Sequence, residues 1–390
     1  MELSNFVMRF DAERSGLIDA VRIALLTGRR ETQRVTAELY KLNVYGKGAF
    51  FKPHVDTPHA PNMFGSLVIV FPSPHEGGEL VIRHQGRTWT FSSAELLSGS
   101  TSSIAWIAFF SDVEHEVLPV LSGHRVTVTY NLYLSPNGPG TALPDGLTIL
   151  QPPHANPSAI ADALRAFLSN EKVLPQGGIL GFGLRHVYPL PRTWDESDDD
   201  PLDVVERFLK GSDAALYQAC EELGLNPRLR LIAEAGPNYI PVMLNRMVTY
   251  GDEPVSDDEE ALLGDKDVQM YEDKEFQFAD DDNRVEDDED DHNGSEADKD
   301  DGDKDGDTSS IDSYEKQYGR RIPIYWVTKC EEGKSPGTSH QYVSYGNEAS
   351  TSYLYVSVCL VAEVESPEKR KLVPMESDEG EEGSHEGGDE

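Results

Sequence analysis

Few residues in this chain combine a type and a spacing that could do chemistry. Pro53-His54-Val55-Asp56 sets an imidazole and a carboxylate two positions apart, and in extended backbone such residues share a face. His115 follows within Phe109-Phe110-Ser111-Asp112-Val113-Glu114-His115-Glu116-Val117, and ten positions later Arg125 heads Arg125-Val126-Thr127-Val128-Thr129-Tyr130. Two histidines and one carboxylate leave coordination positions open on non-haem Fe(II), a set used for oxygen chemistry. A guanidinium beside such a centre can hold a dicarboxylate through two parallel charge-assisted hydrogen bonds. With 11 histidines in an Asp-rich chain, about one His-x-Asp is expected by chance, so the pair alone says little. The weight lies in the combination: pair, second histidine and arginine each sit beside a strand-like segment.

Those segments must position the set. Leu17–Leu26 has apolar residues at helical spacing, with Gly28 as its stop. Ala37–Tyr45 alternates as a strand and is closed by Gly46-Lys47-Gly48; Asn43 and Tyr45 share one face, Tyr40, Leu42 and Val44 the other. Ser66–Phe71 is a continuous apolar run stopped by Pro72, which reads as a core strand. Glu79–Arg83 and Arg87–Phe91 read as a hairpin around Gly86, and Ser103–Phe110 as another strand. Glu116–Val120 and His124–Leu134 are expected to pair around Ser122-Gly123. On the last strand Arg125, Thr127 and Thr129 face one way and Val126, Val128 and Tyr130 the other, which suits a strand with a wet pocket on one side. Seven or eight short strands with few helices between them indicate a sandwich or jelly roll.

The expected organisation is a supporting helix in 1–36, a jelly-roll core in 37–135 and a linker in 136–157. A second α+β region occupies 158–250 and 318–364, with helices over 159–168 and 212–223. Its strands are expected at 178–187, 228–233, 239–250, 322–328 and 353–364. An acidic insertion (251–317) interrupts this region, and an acidic tail (365–390) follows it; both are expected to be disordered, being too charged and too poor in apolar residues to bury anything. Tyr345–Ala349 is a compact turn signal. His186 and His340 read as isolated, and with no His-x-Asp in the second region catalysis is not expected there. The fold class is thus mainly β with supporting helices.

The net charge of −36 is local in origin: residues 251–310 hold 27 acidic and 5 basic side chains. No basic stripe stands out in the body, which argues against nucleic-acid binding. Cys220, Cys330 and Cys359 form no Cys-x-x-Cys or Cys/His cluster, against a disulfide scaffold or structural zinc and in keeping with a reducing compartment. The first twenty residues lack an apolar core of the secretory kind, and no apolar run is long enough to span a membrane. A cytoplasmic or nuclear location is expected; Lys369-Arg370-Lys371 is too short a basic cluster to decide between them.

Tyr45, the His54-x-Asp56 pair, Gly77-Gly78-Glu79-Leu80, His115 and Arg125 resemble the prolyl-4-hydroxylase-like branch of the Fe(II)/2-oxoglutarate-dependent dioxygenases. The resemblance covers about Ala37 to Leu134. The stretches LYKLNVYGKGAFFKPHVDTP, FGSLVIVFPSPHEGGELVIRH and AFFSDVEHEVLPVLSGHRVTVTYNLY also resemble an uncharacterised fungal group in that superfamily. The resemblance implies a double-stranded β-helix with His54, Asp56 and His115 as iron ligands. It puts Arg125 on the distal carboxylate of 2-oxoglutarate, where collagen-type enzymes use lysine. Tyr45 would reach the co-substrate, with Thr127 and then Asn43 as lesser contacts. The implied cofactors are Fe(II), 2-oxoglutarate and O2, with ascorbate as reductant. The implied reaction is hydroxylation of a protein side chain such as proline, with release of succinate and CO2. His59 and His124 read as bystanders and His75 and His84 as rim residues; Asp112, Glu114 and Glu116 are candidate partners of the His115 imidazole, with solvated acids the simpler reading. Some relatives add a degenerate second jelly roll, which the β-rich second region matches in kind. The competing reading is a non-catalytic interaction protein whose acidic insertion binds basic partners.

Overall fold

A computed structural model describes residues 8–28, 32–99, 101–139, 156–191, 199–235, 240–246, 263, 265–276, 316, 319–330 and 352–370. Its first half is two facing sheets. In the larger, β10 (Arg125–Pro139) pairs antiparallel with β1 (Gln33–Tyr45) on one side and β3 (Met63–Val70) on the other, and β3 pairs with β7 (Ala105–Phe110). The smaller has the order β2 (Phe51–His54), β8 (Glu114–Val117), β5 (Leu80–His84), β6 (Arg87–Phe91). A two-stranded flap, β4 (His75–Gly77) with β9 (Val120–Gly123), lies beside them, and a single helical turn, α2 (Ser93–Leu96), leads from β6 toward β7.

The period-two pattern sorts side chains between two cores. Leu67, Ile69, Val128, Tyr130 and Leu132 leave the larger sheet outward and bury with Leu17, Ile18 and Val21 of the first helix, α1 (Leu17–Leu25). On the inner face Val68, Phe109, Ile107 and Tyr45 meet Leu80, Ile82 and Val117 of the smaller sheet. The polar row of β10 shares that inner face, so the space between the sheets is lined partly by hydrocarbon and partly by polar groups.

The expected pairing of 116–120 with 124–134 does not form. β8 joins the smaller sheet, β9 pairs with β4, and β10 joins the larger sheet. Pro119, which has no N–H for a ladder, interrupts the first strand. Gly123 turns the chain with φ +71, where an added Cβ would stand 2.0 Å from the Pro74 carbonyl oxygen. Successive strands therefore cross between sheets instead of folding back on each other.

The second half closes a barrel in the order β11 (Gly178–Pro191), β15 (Ile322–Thr328), β14 (Val268–Lys274), β13 (Ile240–Leu244), β12 (Arg228–Ala235), β16 (Tyr353–Val364). Helices α3 (Pro157–Leu168), α4 (Pro201–Glu206) and α5 (Gly211–Glu222) accompany it. α3 starts where the Asn156 side chain accepts from the Ser158 N–H and Pro157 occupies the first turn. β14 falls inside the 251–317 stretch expected to be structureless. Val268, Met270 and Tyr271 supply its apolar content, too short a run to stand out among so many carboxylates. The rest of that stretch is almost wholly outside the described residues, as are Tyr345–Ala349, His340 and the tail from 371.

Candidate metal centre

β2 ends at His54, and the register sets His54 opposite His115 of β8. Both rings lie between the sheets, their centroids 4.2 Å apart, with Phe109 against His115 at 4.7 Å. Asp56 follows two residues after β2. Its N–H donates to the Ser111 carbonyl at 3.1 Å, and Oδ2 accepts from Ser66 Oγ at 2.6 Å. Oδ1 lies 3.7 Å from His115 Nε2. One candidate ligand atom from each of His54, Asp56 and His115 falls within 4.8 Å of the other two. The structure thus brings together all three residues singled out from the sequence.

The protonation pattern suits a divalent cation. His54 Nδ1 is 2.9 Å from the Lys52 carbonyl and His115 Nδ1 is 3.0 Å from the Val113 carbonyl. A carbonyl only accepts, so each Nδ1 carries a proton and Nε2 is the ring nitrogen turned toward a metal. Burial, reinforced by the neighbouring His115, pushes the His54 imidazole down to about 4, which leaves it neutral near pH 7.

Arg125 is the largest fully buried side chain, 1% exposed, and stands opposite Tyr45 across β1 and β10. Its Nε and Nη2 have no hydrogen-bond partner among the described residues. Burial lowers its pKa, against the pull of Tyr45 and Glu79. A buried cation with two unmet donors is costly by itself, and a ligand carboxylate there would satisfy it. Gly78 makes the room: at φ +71, a Cβ there would come within 3.0 Å of Arg125 Cδ and 2.9 Å of Val120 Cγ2. Thr127, also buried, pairs with Asn43 one step further along the same inner row. The residues present therefore fit a divalent metal with a dicarboxylate beside it.

The remaining candidates divide between those placed as expected and those that differ. Glu114 pairs with Arg83 at 3.2 Å, and Glu116 also bonds Arg83, so neither supports His115; the Val113 carbonyl does. His59 lies against Tyr40 and His124 beside Gly46, neither in the group formed by His54, Asp56 and His115, while His75 bonds Ser93 Oγ at 3.2 Å. The His84 ring stacks on that of His186, their centroids 4.8 Å apart. His186 is not isolated, nor is Asp112 solvated. Both are buried, with His186 Nδ1 3.0 Å from Asp112 Oδ2.

His84, Asp112 and His186 also place ligand atoms within 4.8 Å of one another. Yet the Lys210 ammonium sits 2.9 Å from Asp112 Oδ1, and the Val187 N–H donates to Oδ2 at 3.1 Å. The carboxylate is already engaged, and a fixed cation opposes a second one. This cluster reads as an ion-pair network between the two halves. Its pairings span 74 to 98 positions, and no local pattern marks them.

Residues 40–133 match the family model of the 2OG-Fe(II) oxygenase superfamily. Among solved structures, a 2OG-Fe(II) oxygenase family oxidoreductase from Burkholderia pseudomallei is 23% identical, covering 27% of this chain and 52% of its own, with a TM-score of 0.22. A Pseudomonas putida prolyl-4-hydroxylase is 19% identical over 26% of this chain and 54% of its own, with a TM-score of 0.20. A Trichoplax adhaerens prolyl hydroxylase, solved with a hypoxia inducible factor peptide fragment, is 20% identical over 27% and 49%, with a TM-score of 0.21. The chain spans about half the length of these solved structures. No curated protein matches it.

Proposed function

We propose that this chain is an Fe(II)- and 2-oxoglutarate-dependent dioxygenase that hydroxylates a protein side chain, proline being the favoured residue. The observation that carries the reading is Arg125: a buried guanidinium with two unmet donors, on the inner face that the His54/Asp56/His115 set also lines.

In this reading His54, Asp56 and His115 would hold the iron and Arg125 the far carboxylate of 2-oxoglutarate, with Tyr45 and Thr127 as further contacts. Fe(II) with O2 would supply oxidation there, 2-oxoglutarate leaving as succinate and CO2 with one oxygen atom in succinate and the other inserted into a substrate C–H bond. The chain's part is positional. The Lys52 and Val113 carbonyls stop the imidazoles from turning, and Ser66 fixes the Asp56 carboxylate. Val68, Phe109, Leu80 and Val117 wall the interior with hydrocarbon, which keeps water from the oxidising step.

A macromolecular substrate is favoured by the rim. His54, His115, Ile82 and Trp89 are successive cross-strand partners, so one row runs from the metal ligands to the edge strand β6. Trp89, on that row, is 49% exposed, and β6 has no partner on its outer side among the described strands. An open edge with an exposed aromatic suits an extended peptide. The acidity of 251–310 favours a basic one. Ascorbate as reductant belongs to the same proposal.

The test is succinate formation from 2-oxoglutarate with Fe(II), in wild type, His54→Ala and Asp56→Ala. Turnover should collapse in both variants; equal turnover in all three excludes the reading.

A further inference from the structure

Three residues between β7 and β8, Ser111-Asp112-Val113, touch the candidate centre from two sides. The Ser111 carbonyl takes the Asp56 N–H at 3.1 Å, and the Val113 carbonyl takes His115 Nδ1 at 3.0 Å. One turn therefore sets the backbone of one candidate ligand and the ring of another, though the two lie on separate segments. The residue between those carbonyls, Asp112, points away from the centre and into the second half of the molecule.

There its carboxylate is enclosed. Lys210 Nζ donates to Oδ1 at 2.9 Å, His186 Nδ1 lies 3.0 Å from Oδ2, and the Val187 N–H donates to Oδ2 at 3.1 Å. Lys210 Nζ also reaches the Val187 carbonyl at 3.2 Å and Ser111 Oγ at 3.4 Å. The Lys210 and Asp112 side chains are 1% and 2% exposed. Burial would push the Asp112 carboxyl up, but Lys210 and His186 outweigh it and hold it well below the usual range.

A second carboxylate braces the partners. Asp213, in the first turn of α5, accepts from the Arg185 and His186 N–H groups at 3.0 Å each and from the Tyr188 hydroxyl at 2.9 Å. The Tyr188 oxygen in turn accepts the Lys210 N–H at 3.1 Å. Phe110 packs edge-on against the His186 ring at 4.6 Å. Each of these groups belongs to β11 or the start of α5, except Phe110, which ends β7. The barrel half thus presents a pre-set cation and imidazole to one carboxylate of the jelly roll.

We infer that Lys210 and His186 are positioning residues for the metal centre: through Asp112 they fix the Ser111–Val113 turn whose carbonyls orient Asp56 and His115. The inference rests on the reading of His54, Asp56 and His115 as ligands. It gives the second half a role in metal geometry, beyond cover for the first.

The test uses the full chain and Co(II), whose visible absorption reports both affinity and coordination geometry. The variants are Lys210→Met, the double change Asp112→Asn with Lys210→Met, which leaves no unpaired buried charge, and Leu231→Ala, which loosens the barrel core away from the turn. Lys210→Met and the double variant should bind Co(II) about tenfold to a hundredfold more weakly, with a changed spectrum, while circular dichroism stays folded. Leu231→Ala should keep wild-type affinity and spectrum. Should Lys210→Met fail to fold, the double variant decides. Wild-type affinity and spectrum in the folded variants overturn the inference alone. Failure of wild type itself to bind Co(II), or binding that His115→Ala leaves intact, removes the ligand reading and the inference with it.

Discussion

Tyr45 and Arg125 face each other across β1 and β10, with the guanidinium carbon 5.6 Å from the centroid of the phenol ring. The ring covers one side of the cation, and the donors that bond no protein acceptor among the described residues are Nε and Nη2. Burial raises the Tyr45 pKa, so it stays a neutral phenol near pH 7 and does not neutralise the arginine.

Arg125→Gln should raise the KM for 2-oxoglutarate by roughly tenfold to a hundredfold, since hydrogen bonds to charged groups contribute about 1.5–3 kcal/mol. Arg125→Lys keeps the charge but loses the two-pronged fit, and should fall between that variant and wild type. Succinate yield at varied 2-oxoglutarate measures both. An unchanged KM in Arg125→Gln would remove Arg125 from the co-substrate site.

Ser66→Ala deletes the 2.6 Å hydrogen bond to Asp56 Oδ2 and leaves the fold's apolar contacts intact. Mn(II) affinity, read by loss of the free-ion paramagnetic resonance signal, should drop about tenfold. Affinity equal to wild type would show that Asp56 needs no such partner.

Gly78→Ala forces a side chain onto backbone at φ +71 and against Arg125 Cδ. Stability in urea should fall by about 1–3 kcal/mol. The KM for 2-oxoglutarate should also rise, because the arginine has to shift. A loss of stability without any change in KM would separate the glycine from the co-substrate pocket.

Trp89→Ala should raise the KM for a peptide substrate by about fivefold or more while kcat for that peptide falls less, since the ring lies at the rim and not at the ligands. Steady-state kinetics with a proline-containing peptide checks it. A fall confined to kcat would place the ring's effect elsewhere.

The jelly-roll half was legible because its signals are local. Alternation along Arg125–Tyr130 set the polar row, and the two-residue spacing of His54 and Asp56 put both beside one strand end. Strand partners were less legible: Pro119 and Gly123 send adjacent strands to different sheets, which a hairpin reading of 116–134 could not register. Least legible was the Asp112 network. Its members lie on segments far apart in the chain, and each taken singly has the composition of an ordinary surface residue. β14 was hidden for a different reason, dilution of three apolar residues by surrounding acids.

The two halves also end differently at their borders. The barrel joins β16 back to β11, so its ladder of N–H and C=O groups closes on itself, whereas both jelly-roll sheets stop at unpaired outer strands. A chain that docks by extending a ladder therefore finds its foothold only on the jelly roll, among the described strands. On the proposed function, recognition and chemistry then share one half of the molecule, and the sealed half can vary on its surface without offering a competing berth.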